Sequence, residues 1–176
     1  MIRKLALAAL AVFLLALPLT AQTDAWTKYD NKEGNFTVLF PQQPADSVNG
    51  TDPSVQSHTL MARHESAIYT VIYTVHNNSQ TVDNATYQVF RNAVFKELPK
   101  CSVEVEQGPA PALDDYIGHW YHLTCDMPKT KVLIDGNLYW GKRYAYAVMV
   151  MYPASVVQPQ TEKKFWDSFS ILAAAN

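Results

Sequence analysis

Histidines and carboxylates whose spacing could support catalysis or metal binding occur at a few places in the chain. His64-Glu65 begins like the His-Glu-x-x-His motif of zinc proteases, but Ile68 stands where the second histidine belongs. Without it, no pair of ligands lies one helical turn apart. His119 and His122 are three residues apart on a predicted strand, so their side chains point to opposite faces and cannot bind one ion together. These motifs therefore predict no metal site and no cofactor.

Other polar groups are no closer to a recognised catalytic arrangement. Asp114-Asp115 lies in a predicted loop without a visible partner for acid–base chemistry. Ser54, Ser57 and His58 are near each other but match no known nucleophile arrangement. The chain has no Gly-x-Ser-x-Gly elbow, phosphate-binding loop or Cys-x-x-Cys pair. We expect a protein with no catalytic residues that is not an enzyme, although histidines 58, 64 and 76 could still gather at one sheet edge.

The two cysteines lie on two segments that pair well as antiparallel strands. If residues 101–107 and 117–125 pair about the loop between them, Cys101 faces Cys125 and Val103 faces Leu123. The same register places Val105 opposite Tyr121, and it puts most of the polar residues on the other side of the ladder. We therefore predict a disulfide between Cys101 and Cys125, which would stabilise the fold by about 3–4 kcal/mol. Two buried free thiols are the alternative.

Trp120 is the most suggestive single residue for binding. The unbroken register places it on the polar side of its strand, together with His122 and Glu106. An exposed tryptophan is often an anchor of a protein–protein interface. The sequence therefore predicts a possible interface at Trp120 and His122. If a helix covers that face, Trp120 is instead an ordinary core residue.

The elements that must position these residues follow from periodicity. A helix is predicted from Asp83 or Asn84 to Pro99 and a second one after Pro159, each with an apolar stripe. Alternating segments predict strands, and Asp135-Gly136-Asn137 predicts a hairpin turn between residues 129–134 and 138–140. Residues 26–35 and 42–53 read as turns and loops. The fold class is α+β, an α/β/α sandwich with two main helices and a central, mostly antiparallel sheet of seven or eight strands.

The amino-terminal segment predicts export. Arg3 and Lys4 precede an apolar run over residues 5–19, which Pro18 interrupts and small residues follow. This is typical of a signal peptide over residues 1–21, cleaved after Ala21, and the run is short for a membrane span. Residues 22–176 then form a single domain without membrane insertion, in the periplasm or secreted.

The charge balance excludes one class of partner. The whole chain has 14 Lys and Arg against 16 Asp and Glu, and removing the leader takes away two of the positive charges. Because the remaining acidic chain has no basic stripe, we expect no nucleic-acid partner and no binding to anionic membrane surfaces.

Several segments are similar to one family of exported proteins. Residues 36–41 (FTVLFP) with Pro44 resemble the F-S-V-x-F-P-x-x-P opening of bacterial PsbP-like and DcrB-like proteins, and residues 164–169 (KFWDSF) resemble their closing K-F-F-x-S-F helix. Gly118 with Tyr121, residues 136–139 and residues 143–146 are similar to the later strands. The resemblance implies the α/β/α sandwich of photosystem II extrinsic subunits and a Ran-binding nuclear import factor. Members mostly bind other proteins, and the matching residues are scaffold, so no functional residue is transferred.

Three functions are compatible with these observations. The first is an exported, non-catalytic binding or adaptor protein of the cell envelope, whose partner is another envelope protein. The second is a periplasmic carrier of a small apolar ligand, for which the tyrosines and methionines would line a pocket. The third is a hydrolase whose site is dispersed along the sequence.

Overall fold

The computed structural model describes residues 26–49, 57–98, 101–127, 130–156 and 161–172. The predicted leader over residues 1–21, with its cleavage site, lies outside these residues. The described residues contain a sheet of seven antiparallel strands, a smaller sheet of three strands and two helices, which confirms the predicted α+β sandwich. No helix in these ranges is both long enough and apolar enough to span a bilayer.

The large sheet forms the middle layer. Its strands lie in the spatial order β3-β4-β5-β9-β8-β7-β6, and every neighbouring pair is antiparallel. Their bounds are Ala45–Asn49 (β3), Ser57–His64 (β4), Ala67–Val75 (β5), Cys101–Pro109 (β6), Ile117–Met127 (β7), Thr130–Trp140 (β8) and Tyr144–Pro153 (β9). The strands β8 and β9 lie inside the sheet, where both of their faces are covered.

The two outer layers differ in composition. One is the helix α1 (Asn84–Glu97), which begins as predicted with Asp83 as its N-cap and packs its apolar stripe on one face of the sheet. The other face is covered by the small sheet, with strands β1 (Thr27–Asn31), β2 (Phe36–Phe40) and β10 (Ser170–Ile171), and by the helix α2 (Thr161–Ser168). Each layer has its own cluster of buried side chains.

Two predicted loops contain strands. The strands β1 and β3 lie in segments that are rich in polar and turn-forming residues, and the sequence predicted both segments to be irregular. Each pairs along its whole length with a neighbour that has one buried face, β2 or β4. These are edge strands that are exposed along much of their length, so ladder hydrogen bonds form them although their side chains bury little.

The cysteine-bearing strands pair as predicted only at one end. Cys101 faces Cys125 and forms a disulfide with it, and Val103 faces Leu123. Beyond Val103 the predicted register is wrong, because the ladder shifts and Val105 pairs with His122 instead of Tyr121. A β-bulge adds one residue to one strand and moves the pairs beyond it by one position, and a second irregularity between Glu106 and Pro109 moves the next pair by one more. The prediction assumed an unbroken ladder, and Glu106 pairs with Tyr121 instead of Trp120.

The predicted turn at Asp135-Gly136-Asn137 is also wrong. These residues are the middle of β8, which runs without interruption from Thr130 to Trp140. Asp135 and Asn137 are buried on the face under α2 and the small sheet, next to Val150 and Val148 of β9. A local turn signal has been overridden by tertiary packing, and three polar or flexible residues lie in the centre of the sheet.

Candidate functional site

The candidate site begins with a carboxylate in the middle of β8. Asp135 is only 2% exposed, and its cross-strand partner on β7 is His122. Tyr152 lies on β9, two residues beyond the cross-strand partner of Asp135, so its side chain is on the same face. Three adjacent strands thus bring together three polar side chains that are far apart in sequence.

Both oxygens of Asp135 are engaged by hydrogen bonds. The Oδ1 atom lies 2.5 Å from Nδ1 of His122, and the Tyr152 hydroxyl donates to Oδ2 at 2.5 Å. Since a carboxylate only accepts, Nδ1 of His122 must carry the proton in this contact. The buried acid is therefore fully partnered within the sheet, as a buried charge requires.

The geometry fixes the imidazole of His122. Its Nδ1–H is held by Asp135, so in the neutral ring Nε2 is left with a lone pair. The side chain is 27% exposed, whereas that of Asp135 is almost inaccessible. The histidine is therefore both oriented and partly exposed, whereas Asp135, which orients it, is buried. Such a ring can accept a hydrogen bond from a partner or take up a proton.

Tyr152 supports the carboxylate from the other side. Burial raises the pKa of its hydroxyl, and the hydrogen bond to Asp135 and the nearby charge of Glu162 act in the same direction. The phenol therefore stays protonated and remains a donor. Its bond to Asp135 lies in the core cluster under the small sheet, where water does not compete.

The helix α2 adds a second buried carboxylate behind this network. Glu162, in the first turn of α2, is 2% exposed. Next to it, Thr161 shares a hydrogen bond of 2.5 Å with the hydroxyl of Tyr69 on β5. Burial is the main cause that raises the pKa of Tyr69, and Glu162 contributes to the same shift. The end of α2 is thereby tied to the sheet next to Tyr152.

Trp120 and Asn137 continue the same face next to His122 and Asp135. They are cross-strand partners, and Trp120 is half-buried. Among the described residues, neither of the two core clusters includes Trp120, so the alternative of an ordinary core tryptophan is not favoured. Asn137 is 4% exposed, and its Oδ1 has no hydrogen-bond partner in the described part of the chain.

Gly136, between the two polar residues, is required by close packing on the opposite face. A Cβ atom there would lie 2.6 Å from Cγ of Met149 and 3.1 Å from the carbonyl oxygen of Val148. The glycine therefore lets β9 approach β8 while Asp135 and Asn137 face the other layer. Each residue of the supposed turn has a separate role within a strand.

The other residues singled out from the sequence do not join this site. His119 lies on the opposite face of β7 from His122, as predicted, with its ring 4.7 Å from that of Tyr87. Histidines 58 and 64 lie at opposite ends of β4, and His76 packs on Trp140, so these three do not gather at one edge. Within the described ranges, no three His, Cys, Asp or Glu side chains are arranged to hold a metal ion.

Sequence reasoning found His122 and Trp120 but missed Asp135 and Tyr152. The missing signal was that alternation continues through the triplet, with Leu133, Asp135 and Tyr139 on one face and Ile134 and Leu138 on the other. A real turn would have broken that period of two. The alternation predicts one strand, and a carboxylate inside a strand predicts a partner.

The space inside the molecule bears on the carrier hypothesis. An apolar cavity of about 10 Å³ lies between α1 and the sheet, lined by residues such as Phe95, Tyr121 and Met149. A volume of that size holds about one water molecule, whereas small-molecule sites measure about 300–1,000 Å³. This cavity does not support the binding of an apolar ligand.

Comparison of the chain with protein-family models and with curated proteins gives no match. The similarity to PsbP-like proteins stays a prediction from the motifs. The function must therefore be argued from the site itself.

Proposed function

We propose that the protein is an exported, non-catalytic binding protein of the cell envelope, periplasmic or secreted, that binds another envelope protein through Trp120 and His122. We call this pair the Trp120–His122 surface. The observation that carries the proposal is the burial of Asp135 in a central strand, where it orients a histidine that reaches the surface. The disulfide is compatible with an oxidising compartment outside the cytoplasm.

The arrangement suits recognition because it is prepared before binding. A side chain that is already fixed loses less rotamer freedom when a partner arrives. Asp135 and Tyr152 hold His122 in position. Both lie on strands, which position side chains more rigidly than loops do. Tryptophan is among the residues that contribute most when they are buried at the centre of an interface. Trp120, half-buried beside the fixed histidine, is the anchor of this surface.

A hydrolase is the second candidate, because a carboxylate–histidine pair is two thirds of a hydrolytic triad. On the same face of β7, Thr124 is the nearest hydroxyl in sequence to His122, and it is buried. This hydroxyl is less accessible to a substrate than the imidazole, whose side chain is 27% exposed. The geometry therefore favours binding. Turnover of activated esters that is lost in His122→Ala would reverse this preference.

The proposal is tested by capturing partners from the native envelope fraction. Wild type, Trp120→Ala and His122→Ala are compared by affinity capture and quantitative mass spectrometry, and the dissociation constant of the captured protein is then measured. Loss of an anchor at the centre of an interface typically costs about 2 kcal/mol or more, which is roughly a 30-fold weaker Kd. We expect a loss of that size for Trp120→Ala and a smaller one for His122→Ala.

The matched control is Val89→Ala. Val89 is 73% exposed on α1, which covers the opposite face of the sheet. Its truncation removes an exposed apolar side chain without touching the Trp120–His122 surface. Equal binding by all four proteins, with unchanged circular dichroism, would rule out this surface as the interface.

A further inference from the structure

A second histidine, far from the Trp120–His122 surface, lies between two carboxylates. His58 is near the start of β4 and is 8% exposed. Its Nε2 lies 3.6 Å from Oε1 of Glu33, in the turn between β1 and β2, and its Nδ1 lies 3.5 Å from Oδ1 of Asp46 on β3. The ring is stacked on Tyr73 at 4.6 Å, with the two planes 10° apart. One imidazole thus contacts three other elements of the fold.

The contacts fit the doubly protonated ring better than the neutral one. A neutral imidazole has one N–H, so one of its two nitrogens must turn a lone pair towards a carboxylate. Here Nδ1 is buried and makes no hydrogen bond to any described residue, although Asp46 is within ion-pair distance. With both nitrogens protonated, each carboxylate faces a cationic N–H group at 3.5–3.6 Å, and both contacts become ion pairs.

Among the described residues around His58, the other titratable groups are two tyrosines, so Glu33 and Asp46 are its charged neighbours. Tyr73 stacks on the ring, and burial raises its pKa to about 12, with smaller contributions from Glu33 and Asp46. Tyr29 of β1 lies near Asp46, and its pKa is also raised, mainly by burial. Both phenols therefore stay neutral over the pH range in which histidine titrates. Among the described residues, no cation forms an ion pair with Glu33 or Asp46 in competition with His58.

We infer that His58, Glu33 and Asp46 form a proton-operated clasp that fastens the small sheet and the edge strand β3 to β4. Within the described ranges, β3 pairs with β4 on one side and has no second neighbour in the ladder. The turn that carries Glu33 belongs to the other layer. When His58 is doubly protonated the clasp joins both elements to β4, and when the ring is neutral one of the two contacts opens. An exported protein experiences external changes in pH, which makes such a response useful. The clasp does not depend on the proposed binding function.

Hydrogen exchange measured by mass spectrometry tests the clasp directly. Protection factors, corrected for intrinsic exchange, are measured for residues 45–49 and 32–35 at about pH 5 and about pH 8. Because both carboxylates are largely exposed, each ion pair contributes at most about 1 kcal/mol, so we expect protection to rise about two- to fivefold at the acidic end. The ¹⁵N shifts of the His58 ring should show protons on both nitrogens there.

Two variants and one control decide the outcome. His58→Gln should abolish the pH dependence, and Glu33→Gln, at a position whose side chain is 66% exposed, should reduce it without disturbing the core. His64→Gln is the matched control, because His64 is equally buried on β4 and contacts Trp26 instead of a carboxylate. If Glu33→Gln and wild type respond to pH alike, or if the His58 ring stays singly protonated at about pH 5, the clasp does not exist.

Discussion

Two neighbouring strands in the centre of the large sheet differ in the residues that they bury at their midpoints. Both β8 and β9 lie inside the sheet and are covered on both faces. The strand β9 is apolar on both faces along most of its length. At the same level, β8 carries Asp135, Gly136 and Asn137, which pair with Val150, Met149 and Val148, respectively. The difference teaches that burial alone does not explain β8, because its Asp135 is bound by specific partners on β7 and β9.

The largest effect on stability should come from replacing Asp135 by an apolar residue of the kind that β9 carries. Asp135→Val leaves the buried Tyr152 hydroxyl and the His122 Nδ1–H without an acceptor. We expect the free energy of unfolding to fall by about 2–4 kcal/mol, since the buried phenol cannot regain its hydrogen bond from water whereas His122 partly can. Urea denaturation measures this change.

A double variant shows whether the cost lies in the hydrogen-bond network. Tyr152→Phe removes the donor that Asp135→Val orphans, so the double variant should lose clearly less stability than the two single changes added together. Additive losses would mean that the Asp135–Tyr152 bond is not what stabilises this part of the sheet.

The sequence predicted the general fold because it depends on repeated, local patterns. Three features depend on residues that are close together in the sequence: the apolar stripe of α1, its N-cap Asp83 and the two apolar faces of β9. The pairing of Cys101 with Cys125 also followed from pattern, as far as Val103. The two register shifts beyond that point left no local signal that was recognised, and together they moved every later pair.

The site was only half predictable for a related reason. His122 and Trp120 were found because histidine and tryptophan are conspicuous on a strand. Asp135 was assigned to a turn, since Asp-Gly-Asn has strong turn propensity and propensity does not include the contacts made by neighbouring strands. The alternation through this segment indicated a strand, and the sheet order, which places β8 between β7 and β9, shows that it is one.

A smaller effect is expected at Gly136, where the two strands approach each other. In Gly136→Ala the new Cβ meets Cγ of Met149 at 2.6 Å and the Val148 carbonyl oxygen at 3.1 Å. We expect a loss of about 1–3 kcal/mol from this overpacking, measured by thermal and urea unfolding. In a Met149→Ala background the same change should cost less, because the closest contact has been removed. An equal cost in both backgrounds would show that Met149 does not set the spacing of β8 and β9.

The smallest effect on stability, and the sharpest contrast with β9, is expected at Asn137. Its Oδ1 is buried without a partner among the described residues, and its neighbour across the ladder on β9 is Val148. Replacing an unpaired polar group by an apolar one of similar shape is close to neutral or stabilising, so Asn137→Val should change the unfolding free energy by less than about 1 kcal/mol, or raise it.

Because Asn137 is the cross-strand partner of Trp120, the same variant should weaken binding at the Trp120–His122 surface. A stable variant that binds less well would show that the polar residue is retained at a cost in stability for recognition. A large loss of stability would instead make Asn137 a structural residue, and the contrast between β8 and β9 would then reflect folding alone.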